Sequence, residues 1–375
     1  MRVLFLNNSF GTGGAEQLTL EIVRRLQGDE FRFHMLCLKG EGNLAPEMRK
    51  LGVTVDAGFL RGKFDLLGPR RAARHLRGEE FDLLFTGVGR NLLWASGYLA
   101  RTLRIPKRIT AVHATGHWGR SKMFTGDQVR ILRRLDGVIA CAATQGEYLV
   151  REEGVDPSNL TVIFNGVDHE KFRPWDRSGL PPAEGAPAPG EKGVGVVASL
   201  TPEKGHDVFV DAAALTIERV PEARFLVIGE GPEREKIEGR IRAKGLEGIV
   251  RLLGRRRDLP TFLPRLDLLA LPSHPFRETL PISTMEGMAC GLPTVNTDVG
   301  SVRDLVVDGG TGRIVPPGDP GAMAEAFAQI LGDPAMGAAL GRAGRRRIEE
   351  KFTLERTVDD YRRYFLRVAG RGAEA

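Results

Sequence analysis

Short runs of Val, Ile, Leu and Phe alternate with stretches of helical period along almost the whole chain, and this alternation restricts the fold more than any other feature. The first set of runs occupies residues 3–7, 32–38, 82–86, 108–113 and 137–142. Runs apolar on both faces, separated by helical crossovers, are what a buried parallel sheet requires. The pattern breaks once, across 172–192, where Pro and Gly are too frequent for helix or strand. It then restarts with runs at 193–200, 224–229, 250–254, 266–271 and 294–297. The expectation is an α/β protein of two doubly wound Rossmann-like domains, residues 1–171 and 193–353, facing each other across a cleft, with 172–192 as linker. A chain of 375 residues fits two such domains at about 100 to 200 residues each. The last helix, about 354–368, carries Val358, Tyr361, Phe365 and Val368 at helical spacing and is expected to pack back on the first domain.

Composition narrows the class. Hydrophobic content of 42% and charged content of 27% are those of a globular protein. Cys37, Cys141 and Cys290 are too scattered for a disulfide framework or a metal motif. The opening residues run straight into a Gly-rich loop and read as a strand, and no apolar stretch approaches the roughly 18 residues of a membrane helix. A cytoplasmic, reduced protein is expected. The net charge of +6 gathers between Arg61 and Arg134. Solvated helix faces account for that bias, and so does attraction to anionic lipid head groups, with membrane association, or to an acidic acceptor. Nucleic acid is not expected as a partner, because aromatics are few and no binding signature is present.

Two stretches carry chemistry. The loop Gly11-Thr12-Gly13-Gly14-Ala15-Glu16 follows the first strand and opens a helix, so its amides and the helix N-terminus suit a phosphate. It is not a dinucleotide fingerprint, since Glu16 stands where a small residue should pack the helix on the sheet. A glycine turn that only starts a helix explains the loop equally well. In the second stretch, residues 271–293, Pro281 is placed to begin a helix that Gly291 ends. Glu278 then lies just ahead of the helix and Glu286 inside it, with the amides near Thr279 and Leu280 free for a diphosphate. A solvated loop glutamate and an ordinary helix glutamate are the plainer alternative.

The pair Glu278 and Glu286, separated by seven residues, resembles the E-x7-E signature of glycosyltransferase family 4. Five other pieces agree in order: Gly13-Gly14-Ala15-Glu16, 162–168 with its Asn-Gly-Val-Asp, 199–206 with Lys204, 227–232 with Gly229, and 298–309. The resemblance implies a retaining GT-B glycosyltransferase that moves a sugar from a nucleoside diphosphate sugar, UDP by first guess, to a lipid, saccharide or small-molecule acceptor. It implies that Lys204 neutralises the diphosphate, Glu286 holds the ribose, Glu278 holds the transferred sugar, and Gly13 and Gly14 let the first-domain loop approach the phosphates. His113, at the end of a strand, resembles the family histidine beside the reacting carbon, although alone it reads as a satisfied strand-end residue. The family's usual Arg before the phosphate Lys is replaced by Ser199, leaving the diphosphate to Lys204 and backbone amides, or to Arg255 or another basic residue. No Asp-x-Asp is present, so neither a metal nor another cofactor is expected. A GT-B isomerase or hydrolase, drawing on His113, His117 or His274, and a binding protein without turnover remain as alternatives. A nicotinamide-dependent oxidoreductase is disfavoured by the broken fingerprint.

Overall fold

The structure is a computed structural model and describes residues 1–371 except 12, 63–64, 114–122, 181 and 276–277, with Ser178 described by its backbone alone. These residues form two compact units. The first takes the chain as far as Phe164 and again from Thr357; the second takes the chain from Asn165 to Arg356.

The first unit holds seven strands, β1 (Arg2–Asn7), β2 (Arg32–Cys37), β3 (Thr54–Ala57), β4 (Leu83–Thr86), β5 (Lys107–Val112), β6 (Gly137–Ala140) and β7 (Leu160–Val162). They lie in the order β3-β2-β1-β4-β5-β6-β7, and every pairing is parallel. Val3, Leu4, Phe5 and Leu6 are all buried because helices cover both faces of β1. The chain order reverses between β1 and β4, which opens a crevice at their carboxyl ends. The helix Leu354–Val368 docks on this unit, as its spacing predicts. Phe365 is fully buried, its ring 6.1 Å from Phe31, 6.5 Å from Phe33 and 5.9 Å from Phe85. Burial of such a ring is worth about 2 to 3 kcal/mol. Arg362 adds a two-pronged pair to Glu30 at 2.6 and 2.7 Å.

The second unit holds β8 (Lys192–Val197), β9 (Ala223–Ile228), β10 (Val250–Gly254), β11 (Leu268–Leu271), β12 (Thr294–Thr297) and β13 (Arg313–Val315), in the parallel order β10-β9-β8-β11-β12-β13. Phe209, Phe225 and Phe327 stack edge to face or tilted at its centre, 5.6 to 6.2 Å apart. Here the order reverses between β8 and β11.

The expected linker is a different object. The first unit ends at Phe164, ahead of residue 171, and 172–192 belongs to the second unit. Arg177 donates to the carbonyl of Pro264 at 3.0 Å and pairs with Asp267 at 2.9 Å. Arg256 donates to the carbonyl of Glu184 at 2.8 Å, and Glu191 pairs with Arg224 at 2.8 Å. Prolines and glycines here shape an irregular strap laid on the second unit, a task that suits them as well as a free tether does. No helix among the described residues is long and apolar enough to cross a membrane.

Candidate functional site

In the second unit the chemistry gathers where the strand order reverses. The loop after β8 ends in a short turn, Pro202–Lys204, followed by Gly205 at φ +65°. A Cβ on Gly205 would stand 1.9 Å from the carbonyl oxygen of Pro272, so only glycine lets the loop after β8 lie against the loop after β11. Across that contact Lys204 Nζ donates to Glu278 Oε2 at 2.8 Å, and Ser273 Oγ donates to the same oxygen at 2.8 Å. Thr297, at the end of β12, fixes Ser273 by donating to its carbonyl at 2.7 Å. Glu278 is buried, while the Lys204 side chain is a quarter exposed, so one end of the pair faces solvent and can receive a ligand.

Glu278 leads through the buried Thr279 and Leu280 into the helix Ile282–Ala289, which Pro281 caps and Gly291, at φ +77°, follows. Thr279 is pinned by the N–H of Ser301 on its carbonyl at 2.9 Å. Glu286 stands inside the helix, half-buried, its carboxyl without a hydrogen bond among the described residues. Burial pushes its carboxyl up to about 7, against a weaker opposing pull from Lys171. A partly desolvated carboxyl with no protein donor is open to hydroxyls of a ligand.

The other expected residues fall at varied distances from this cluster. Gly229 sits at the end of β9 with its backbone against β8; a Cβ there would lie 1.8 Å from the carbonyl oxygen of Ala198. Ser199 is exposed, and its hydroxyl reaches only Thr201 at 3.4 Å. Its carbonyl accepts from Nε2 of the buried His206 at 3.0 Å, and burial lowers the His206 pKa. Arg255 follows Gly254 at the edge strand, exposed and without an ion pair among the described residues, and it does not join the Lys204–Glu278 pair. His274 is spoken for, 3.2 Å from Asp207. His117 lies outside the described residues.

In the first unit a cavity of about 70 Å³ opens at the carboxyl ends of β1, β4 and β5, lined by Asn7, Phe10, Glu16, Thr86, Gly87 and His113. Gly13 precedes and Gly14 begins the helix Gly14–Leu26, whose N-terminus has no side-chain cap. A Cβ on Gly13 would meet the Glu16 carboxylate at 2.6 Å, so that carboxylate folds over the uncapped end. Burial holds the His113 imidazole down at about 4, leaving a neutral hydrogen-bonding ring.

Ser273, Thr297 and His206 are functional supports that the sequence did not disclose. Ser273 lies inside the motif stretch, but its role depends on a contact between loops; Thr297 reads only as the last residue of a strand.

Two parallel α/β units, with a lysine–carboxylate pair at the strand-order reversal of the second, have the architecture of the GT-B fold. The profile for "Glycosyl transferases group 1" matches residues 182–347 and that for "Glycosyltransferase Family 4" matches residues 12–171. The lipopolysaccharide core biosynthesis mannosyltransferase LpsB of Rhizobium meliloti is 31% identical over 68% of this chain and 70% of its own length. Glycogen synthase of Mycobacterium tuberculosis is 28% identical over 71% of this chain, which spans 58% of that longer protein. Anabaena Alr3699/HepE, solved in complex with UDP, shares the fold with a TM-score of 0.81 at 21% identity, over 97% of this chain and 99% of that one. The chain belongs to glycosyltransferase family 4 and is a glycosyltransferase.

Proposed function

We propose that this enzyme transfers a hexosyl group from a UDP-sugar to a lipid, saccharide or small-molecule hydroxyl with retention of anomeric configuration and without a metal ion. The observation that carries the reading is the Lys204–Glu278 pair at 2.8 Å, set at the strand-order reversal of the second unit. UDP as nucleotide is supported by the fold neighbour Alr3699/HepE, solved with UDP and with UDP-glucose.

On this reading the donor diphosphate lies against Lys204 and the amides leading into the helix Ile282–Ala289, which supply the positive charge that a divalent ion gives elsewhere. Glu278 accepts hydroxyls of the transferred sugar and Glu286 those of the ribose. The bond between the anomeric carbon and the phosphate oxygen breaks, and its electron pair leaves with UDP. The acceptor oxygen bonds to the same face of that carbon, and its proton passes to the departing phosphate. Lys204 gains most as charge builds on that phosphate, which is how a fixed cation accelerates the step. His113 contributes a neutral hydrogen bond. Gly13 and Gly14, at the uncapped N-terminus of the helix Gly14–Leu26, offer their amides to an anion. The test is to incubate the protein with UDP-, GDP- and ADP-sugars, with and without acceptors and EDTA, and to read product configuration by NMR. Acceptor-dependent release of UDP, unaffected by EDTA and giving the donor's anomer, is expected; release without acceptor, an EDTA requirement or the opposite anomer overturns the corresponding element.

A further inference from the structure

The first unit carries a second concavity. The helices Gly68–His75 and Arg90–Leu103 run toward the starts of β4 and β5, at the end of the sheet away from the His113 cavity, and border a depression of about 550 Å³. Arg70, Arg74, Arg77 and Arg104 line it together with Tyr98 and Thr102. None of the four guanidinium groups has an ion-pair partner among the described residues. The acids on the same wall are Glu79, committed to Arg2, and Glu80. Arginines at helix C-termini complement the macrodipole, but two helix ends present only about half a unit of negative charge each. That leaves most of the positive charge unanswered.

Arg104 adds a second, independent sign. It is the one non-glycine residue with positive φ, +57°, among the described residues. It caps the helix Arg90–Leu103 in a left-handed conformation where glycine is the usual occupant. An arginine there meets a backbone penalty that glycine would not, so local backbone geometry gives no reason for a side chain at this position.

We propose that this depression binds an oligoanion, a ligand carrying two or more phosphate or sulfate groups, through the planar guanidinium forks of Arg70, Arg74, Arg77 and Arg104, with Tyr98 under its carbon skeleton. Arginine matches phosphate oxygens two at a time, and four such forks in one concavity exceed what a single monoanion can use. Because the site lies away from the cavity that holds His113, the ligand anchors the enzyme or the far part of an acceptor and is not itself transformed. Its phosphates come either from lipid head groups in a bilayer or from a soluble phosphorylated molecule. Leu66 and Leu67, 91% and 57% exposed, precede the same helix as Arg70 and Arg74, and Trp94, 59% exposed, stands one turn before Tyr98, which supplies apolar contacts for the first source.

The test compares wild type, the double variant Arg74→Ser with Arg104→Gly, and Lys204→Ala. Each is titrated with tripolyphosphate by calorimetry at low salt and floated with phosphatidylcholine vesicles, with and without phosphatidylglycerol. Arg104→Gly removes charge where the backbone favours glycine, so the double variant keeps its fold, and its melting temperature verifies this. The expected result is vesicle binding weakened at least about ten-fold in the double variant and unchanged in Lys204→Ala, with the double variant also losing a tripolyphosphate site that Lys204→Ala keeps, whatever second, donor-side site the lysine variant loses. Loss on vesicles alone assigns the site to lipid, loss with tripolyphosphate alone assigns it to soluble phosphates, and loss with both supports the shared phosphate recognition. A wild type that binds neither probe, a double variant that binds as wild type does, or a loss confined to Lys204→Ala overturns the proposal, and the last outcome leaves the donor site of the second unit standing.

Discussion

Lys204 and Glu278 meet at 2.8 Å although 74 residues separate them and they leave different strands, β8 and β11. The strand order reverses between those strands, so two loops that would elsewhere diverge converge on one point. Removing the lysine takes a cationic partner from a buried carboxylate. Lys204→Ala is therefore expected to lower kcat/KM by about 100- to 1,000-fold and stability by about 1 to 2 kcal/mol, the latter discounted because Lys204 is partly exposed. Glu278→Gln is expected to lose similar activity with a smaller stability change. Steady-state kinetics and urea melts report both; full activity in either variant removes that residue from the site.

Glu286 gives a pH signature. Its carboxyl is raised to about 7 in the folded protein by burial, above its ordinary value of 4.5. The folded state thus binds the proton more tightly than the unfolded state, and stability falls as pH rises from 4.5 through 7. Glu286→Gln should flatten that slope and stabilise the protein at pH 8 by on the order of 2 to 3 kcal/mol. Holding ribose hydroxyls needs the ionised form, so kcat/KM for wild type is expected to decline below about pH 7 and the variant to lose this limb. Melts and rate profiles across pH check the two halves separately.

His113 is expected to stay silent where histidines usually titrate. With its imidazole held at about 4 by burial, its NMR signals should not move between about pH 5.5 and 8. Substitution by Ala should lower kcat by about 10- to 100-fold through loss of a neutral hydrogen bond. An inflection near pH 6.5 would contradict the neutral role.

Gly205→Ala tests the loop contact. The added Cβ meets the Pro272 carbonyl at 1.9 Å in a backbone conformation that glycine alone adopts easily. Loss of more than about 2 kcal/mol of stability is expected, with activity lost even well below the melting temperature, because Lys204 is carried away from Glu278.

Much of the fold was legible in the sequence because its central strands are buried on both faces. All ten runs of Val, Ile, Leu and Phe correspond to strands of the two sheets, within a few residues at their ends. The strands that escaped notice, β3 (Thr-Val-Asp-Ala), β7 (Leu-Thr-Val) and β13 (Arg-Ile-Val), are all edges, short and half-solvated, and an edge strand needs no continuous apolar run. The strap at 172–192 misled for a related reason: composition records irregular backbone, not whether that backbone is packed.

The candidate site was legible where one stretch of chain builds it. Glu278, Thr279, Leu280 and the helix carrying Glu286 follow from the positions of Pro281 and Gly291. Ser273 and Thr297 were hidden because their roles are contacts between strand ends, and Arg255 was a poor substitute for an arginine at position 199 because it lies by the edge strand β10.

The most direct measurement is a crystal structure of this protein with a bound UDP-sugar. Density should place the diphosphate within hydrogen-bonding reach of Lys204 Nζ, a sugar hydroxyl on Glu278 and the ribose on Glu286. A nucleotide bound elsewhere, with the Lys204–Glu278 pair untouched, would contradict the account.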